Sequence, residues 1–345
     1  MAPGTLIDVH IDGAMGEGGG QILRTSLALS TCLGKPFQIS NIRSQRKHPG
    51  LQPQHLAAVK AAKEISNAQV KGAEKGSLEL QFIPGKVMPG EYHFSIGTAG
   101  STSLVFQTIL PALMLAEKRS KLILEGGTHN PFAPPFDFLH HAFLPTLNRM
   151  GPVVTAILLR PGFAPKGGGK IRIEIQPVKK LSSLEILKQG RITGQRAEVL
   201  LAHLPEHIAM RELAVIKQEL NFEDSELSYH FANEAFGAGN VVSAIIKSEY
   251  ITECFTAFGQ RGLPAEQVAK KLVKEVRRYV KAGVPVGKYL ADQLLLPLAL
   301  AGSGSFITVE PSSHTLTNIS VINAFMDVTI QCQQLDTDAW QITLS

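Results

Sequence analysis

The sequence predicts an α/β fold built of α+β repeats: a large domain of three α-β-α-β-β units around a pseudo-threefold axis, helices inside, with a smaller α/β domain inserted. Three observations predict it. One order of elements runs three times: a small-residue loop, an apolar helix, a strand, a polar loop, a second helix and two strands. The motif Gln107-x-x-Leu110-Pro111 recurs as Gln293-x-x-Leu296-Pro297 at the same place in its unit. Between Pro177 and Val284 the repeat stops and a different pattern intervenes. Each unit has one apolar face and needs its neighbours to cover it. The predicted boundaries are 1–183 plus 283–345 for the three-repeat domain and 184–282 for the insert.

In the first unit, residues 5–11 alternate and read as a strand. The glycine-rich loop Gly13 to Gly20 follows, then an apolar helix from Gln21, in which Thr25 stands where the other copies have proline. Residues 36–39 form a strand, and a polar loop carries Arg43, Arg46, Lys47 and His48. A second helix covers 54–65, with strands at 78–82 and 91–96. The second unit opens on the small-residue loop 97–103. Its first helix holds Gln107 and Pro111, its strand covers 121–124, its second helix 135–150, and its closing strands 153–159 and 170–175. The third begins near Val286. Gln293 and Pro297 lie on its first helix, 306–309 is a β-branched strand, and a loop with His314 leads to a helix over 319–326 and strands at 328–332 and 340–344. Proline within a helix pattern marks a kink or a helix start set by packing. The insert reads as strand 192–201, helix 207–220, strands 226–231, 241–246 and 251–257, and a charged helix over 264–281. His203 and His207 are four apart, but Pro205 between them and the lack of a third ligand argue against a metal site there.

At 345 residues with 44% hydrophobic content the chain buries a full core and is not disordered. A net charge of +5 suits an anionic partner. With aromatics at 6% and one Trp, base-stacking platforms are few. Cys32, Cys254 and Cys332 are dispersed and odd in number, which fits a reducing compartment and a cytoplasmic protein. No signal peptide and no apolar stretch long enough for a bilayer is expected, hence no membrane partner.

Several loops carry candidate chemistry. Gly16-x-Gly18-x-Gly20 lies between a strand and a helix, but its third glycine is misplaced for a dinucleotide fingerprint. A Walker A loop is excluded, because no Gly-Lys-Ser/Thr follows. Glu17 in that loop would repel a phosphate unless a divalent cation lay between them; otherwise it is a surface glutamate at a helix N-terminus. Arg24, Arg43 and Arg46 are suited to phosphate, though a solvated basic loop has the same composition. Tyr289 could stack on a base, with Asp292 and Gln293 as hydrogen-bonding groups. His314 lies between strand and helix, where α/β folds bind ligands. Ser312, Ser313, Thr315 and Thr317 are candidate caps. Alone, His314 reads as a capping residue, a general base, a metal ligand or a nucleophile.

The combination resembles the RNA 3′-terminal phosphate cyclases. The residues that carry the resemblance are Asp12-Gly13-Ala14-x-Gly16-Glu17-Gly18-Gly19-Gly20-Gln21-Ile22-Leu23-Arg24, Pro49-Gly50-Leu51-x-x-Gln54-His55-Leu56, Gly126-Gly127-Thr128, Lys166-Gly167-Gly168-Gly169, Tyr289-Leu290-Ala291-Asp292-Gln293 and His314-x-x-Thr317-Asn318. It runs over nearly the whole chain. It implies a ligase that uses ATP and Mg²⁺ or Mn²⁺ to convert an RNA 3′-phosphate end into a 2′,3′-cyclic phosphate, through histidine–AMP at His314 and an RNA adenylate. By the same resemblance, Gln107, Pro134, Tyr289, Leu290, Ala291, Asp292 and Gln293 bind the nucleotide, with Tyr289 and Pro134 enclosing adenine. Arg24, Arg43, Arg46 and Gln54 bind substrate phosphates, Glu17 helps hold the metal, and the insert is thioredoxin-like. The oligomeric state is left open, a homodimer included. Two other readings stand beside this one. The first is a non-catalytic RNA-binding or ribosome-biogenesis factor on the same scaffold, a branch that lacks the histidine. The second is an enolpyruvyl-type transferase sharing the repeat by fold analogy.

Overall fold

A computed structural model describes residues 7–97 and 99–345. Of the first expected strand, Thr5 and Leu6 lie outside the described residues, as does Thr98 of the second small-residue loop.

The first unit comprises β1 (Val9–Asp12), α1 (Gly20–Leu33), β2 (Phe37–Ser40), α2 (Pro53–Ser66), β3 (Gln69–Lys71) and β4 (Leu80–Ile83). The second comprises β5 (Glu91–Ser95), α3 (Thr102–Leu113), β6 (Ser120–Gly126), α4 (Phe136–Phe138), α5 (Leu144–Asn148), β7 (Val153–Arg160) and β8 (Gly169–Gln176). A π-turn, Leu139–Phe143, joins α4 to α5. Pro145 offers no N–H to the His141 carbonyl, so the helix expected over 135–150 widens there instead of running straight.

Next come β9 (Leu184–Ile186), β10 (Ile192–Ala202), α6 (His207–Leu220), β11 (Leu227–Phe231), β12 (Gly239–Ser248), β13 (Thr252–Phe258) and α7 (Ala265–Ala282). The chain ends with α8 (Lys288–Ala301), β14 (Gly304–Thr308), α9 (Ser313–Phe325), β15 (Ile330–Asp336) and β16 (Ala339–Leu344).

Three of the mixed sheets share one connectivity, with orders β1-β2-β4-β3, β5-β6-β8-β7 and β9-β14-β16-β15. In each, the first two strands are parallel and the last two antiparallel. The repeating unit is therefore β-α-β-α-β-β, with one strand more at its start than the sequence pattern suggests. Glu91–Ser95, expected to close the first unit, pairs with β6 and opens the second. The edge strand of the first sheet is β3, ahead of β4 in the chain, which the sequence does not announce: it is three residues long, Gln-Val-Lys, and has no apolar alternation. Leu184–Ile186 falls within the predicted insert, yet it pairs in parallel with β14 of the third sheet. The inserted segment thus leaves the chain between a first strand and its helix.

Helices α1, α3 and α8 are apolar around most of their circumference, which suits core helices. Ile22, Leu27, Phe106, Ile109, Leu294 and Leu298 all lie in one large buried cluster. The segment from β10 to α7 forms a second cluster around Val199, Ile216, Val242, Leu272 and Val276. Its sheet, ordered β11-β10-β12-β13, is covered by α6 and α7. His203 Nε2 there bonds the Ala235 carbonyl at 2.6 Å. No helix among the described residues is long and apolar enough to cross a membrane.

Candidate active site

The N-terminal ends of α1, α8 and α9 converge on a cleft of about 1530 Å³, walled on its other side by β13 and α7 of the inserted segment. The sequence placed His314 in a loop. The structure puts it one turn further on, inside the start of α9, because Ser312 caps that helix by accepting from the Thr315 N–H at 3.1 Å.

His314 Nδ1 lies 2.7 Å from Gln21 Oε1 and 2.9 Å from Glu17 Oε1. The orientation of Gln21 is set from behind, since its Nε2 donates to Asp292 Oδ1 at 2.8 Å and a carboxylate accepts only. Two acceptor oxygens at Nδ1 place the ring proton there and leave the Nε2 lone pair free. Nε2 has no hydrogen-bond partner among the described residues, and the side chain is half exposed.

Three charges tune this ring. The hydrogen bond that Nδ1–H donates to Glu17 raises the His314 pKa above its ordinary value, against the effect of burial and with help from the charges of Glu17 and Asp292. Burial pushes Glu17 up, but the bond from His314 and the charges of His314, Arg46 and Arg24 outweigh it and hold the carboxyl low. Burial raises Asp292, opposed by Gln21 and the nearby cations. Arg24 is pushed down to about 10 by burial, while Asp292 and Glu17 pull it up. Its guanidinium makes no hydrogen bond to a described residue and lines the cleft, as a group waiting for an anion would.

The other two arginines are partly committed. Arg46 donates to the Glu17 carbonyl at 2.6 Å and lies 3.5 Å from its carboxylate, bracing the glycine-rich loop. Arg43 Nη1 donates to the carbonyls of His48 and Gly50 within its own loop. Both still line the cleft, together with Gln54. His55, beneath Arg24 and Arg43, is held neutral, its pKa driven to about 3 by burial and those two charges. Its Nδ1 accepts from the Gln52 N–H at 3.0 Å and closes the N-terminus of α2.

Of the residues expected to bind a nucleotide, Gln107, Pro134, Tyr289, Asp292 and Gln293 all line the cleft. Gln107 Nε2 donates to Gln293 Oε1, and Gln293 Nε2 to Asp292 Oδ2 at 3.3 Å. Tyr289 is exposed, with Lys288 Nζ 4.6 Å from its ring centroid. Leu290 and Ala291 do not join them. Both are buried in the large core, because the helix that turns Tyr289 and Asp292 toward the cleft turns its next face inward.

Glu17 also differs from the expectation of a ready metal ligand. One of its oxygens faces His314 and the other Arg46, and among the described residues no three His, Cys, Asp or Glu side chains gather as a metal cage. This donor set fits a Mg²⁺-type cation that takes one carboxylate and completes its shell with substrate phosphates.

Sequence reasoning quoted Gln21 and Asn318 in motifs without assigning them a role, and offered Thr317 only as a candidate cap, a place that Ser312 takes. The signal for Gln21 was present, since it occupies the repeat position of Gln107 and Gln293. Thr317 Oγ1 accepts from the Glu17 N–H at 3.3 Å. Asn318 accepts from Thr25 Oγ1 at 2.8 Å and donates to the Asp292 carbonyl at 3.3 Å, tying α1, α8 and α9 together.

A histidine with one nitrogen held by a carboxylate and the other free, beside an arginine without a described hydrogen-bond partner, is an arrangement suited to nucleophilic attack on an anionic group. The sequence profile of the RNA 3′-terminal phosphate cyclases matches residues 15–332. An RNA 3′-terminal phosphate cyclase of Koribacter versatilis (strain Ellin345) is 50% identical over 326 residues, covering 94% of this chain and 92% of that protein. The chain belongs to the RNA 3′-terminal phosphate cyclase family.

Proposed function

We propose that this protein is an ATP-dependent RNA 3′-terminal phosphate cyclase, a ligase that works through a histidine–AMP intermediate at His314. The observation that carries the reading is the free Nε2 of His314, its opposite nitrogen held by Gln21 and Glu17. Nε2 attacks the α-phosphorus of ATP; an N–P bond forms and the bond to pyrophosphate breaks. The ring becomes cationic as it attacks, and the Glu17 carboxylate stabilises that charge through Nδ1–H. An oxygen of the RNA 3′-phosphate next attacks the same phosphorus, which forms a P–O–P linkage and returns His314 to its neutral state. The vicinal 2′-hydroxyl then attacks the 3′-phosphorus, loses its proton and expels AMP, closing the 2′,3′-cyclic phosphate. Adenylation converts a poor leaving group into AMP, which is why ATP is needed.

In this reading Tyr289 and Pro134 enclose the adenine, and Gln107, Asp292 and Gln293 hold the nucleoside. Arg24 takes a phosphate directly, with Arg43, Arg46 and Gln54 beside it. A Mg²⁺ or Mn²⁺ ion held by Glu17 and substrate phosphates would neutralise phosphate charge. The reading includes a thioredoxin-like insert and three repeats about a pseudo-threefold axis; the connectivity shared by three sheets supports the repeats.

The test is transfer of label from α-³²P-ATP to the protein. Wild type is expected to take an acid-labile, alkali-stable label that His314→Ala lacks while still unfolding cooperatively. No label on folded wild type across a range of metals would sink the nucleophile and leave the RNA-binding factor in its place.

A further inference from the structure

We propose that Phe132 is a stacking platform for a base of the RNA acceptor strand, and that Lys271 and Lys274, on the inserted-segment wall of the same cleft, take that strand's phosphates. This deepens the RNA reading above and rests on it. Phe132 is 104% exposed and lines the cleft. It also holds φ at +66°, a left-handed conformation that an aromatic residue adopts at a cost. A ring left wholly in water gains nothing from burial, so neither the fold nor the backbone favours Phe at this position.

The loop has not simply drifted there. The Phe136 N–H bonds the Thr128 carbonyl at 3.0 Å across its base. Buried His129 joins Thr128 Oγ1 at 2.8 Å to Asp137 at 3.0 Å. Asn130 Nδ2 is fastened to the Ala99 carbonyl. Pro131, Pro134 and Pro135 restrict the tip, so the ring is presented by a stiff frame. Across the cleft, Lys271 and Lys274 are one helical turn apart on α7 and point the same way. Both are exposed, and neither makes an ion pair or hydrogen bond among the described residues. An exposed aromatic face and unpaired cations lining one cleft are the two parts that hold single-stranded nucleic acid.

Fluorescent single-stranded RNA ending in a 3′-phosphate would be titrated against wild type, F132A, F132W, F132G and K271Q/K274Q. AMP labelling from ATP alone would be run beside it. F132A is expected to weaken RNA binding about tenfold and leave AMP labelling unchanged. F132W should restore binding; F132G, although it relieves the backbone, should bind as poorly as F132A. K271Q/K274Q should bind more weakly and lower the salt slope by about 0.7 per lysine. Unchanged RNA affinity in F132A overturns the proposal, including the case where F132A alters only the oligomeric state. Loss of AMP labelling in F132A also overturns it, since the ring would then serve the ATP. A failed cyclase reading looks different: wild type itself takes no label, while its RNA affinity beside that of F132A still decides the platform; wild type that binds no RNA overturns the platform as well.

Discussion

In the proposed mechanism neutral His314 is the attacking form, and Glu17 shifts how much of it is present. Because the pair raises the His314 pKa and lowers that of Glu17, each carries its charge across the window between the two folded values. The contribution of the pair to stability is present there. It is lost above, as pH rises through the His314 value, and below, as pH falls through the Glu17 value. Adenylation runs the other way at the upper edge, rising as His314 loses its proton. Glu17→Gln removes the main cause of the raised pKa, so the acid limb of the pH–rate profile for AMP labelling should move to lower pH. The maximal rate should fall as well, since the charge that stabilises the attacking ring is gone. An acid limb at unchanged pH would assign the limb to another group. Gln21 keeps its bond to Nδ1 in this variant, which separates loss of charge from loss of orientation.

At the scale of elements, the site depends on two backbone devices. Pro111 and Pro297 sit inside α3 and α8, and neither offers an N–H to the residue four before it. Those residues are Gln107 and Gln293, so the shared motif frees two carbonyls where the two glutamines meet at the cleft. The second device is Gly16. At φ +53° a side chain is strained, and an added Cβ would stand 2.1 Å from Thr317 Oγ1. The close approach lets Thr317 hold the Glu17 N–H. Gly16→Ala should cost about 1–3 kcal/mol by urea unfolding. Adding Thr317→Ala should recover only the steric part, leaving the cost of the left-handed backbone. Equal stability of G16A and wild type would show that the loop relaxes freely.

Across the whole molecule, the segment from β10 to α7 is fastened to the N-terminus of α8. Glu253, at the start of β13, accepts from the Gly287 N–H at 2.6 Å, at the N-cap of α8. The carboxyl is buried, and burial drives its pKa up to about 8 against its backbone hydrogen bonds. The folded protein therefore keeps a proton that the unfolded chain releases at ordinary carboxyl pH. Stability from this group is full below about pH 4.3 and is lost as pH rises toward about 8. Glu253→Gln should flatten the fall of Tm over that range and retain the bond to Gly287. Glu253→Ala should lower Tm at every pH, because it leaves a buried N–H without a partner. A Tm profile identical in E253Q and wild type would place the titration elsewhere.

The sequence by itself determined the repeated order of elements, most of the elements from β10 to α7, and several of the motif residues that line the cleft. Repeated local patterns and loop chemistry are written along the chain, where periodicity and spacing can be read. Only the tertiary structure decided what depends on partners distant in sequence. β3 and β9 are too short to show a pattern, and each is a strand because β4 or β14 supplies its hydrogen bonds. Leu290 and Ala291 stand in a cleft motif but pack into the core, since helix phase turns their side chains away. Glu17 became the partner of His314 across nearly the whole chain, a pairing set by the docking of α9 against the first unit. Spacing cannot express that contact, because it exists only after the units pack.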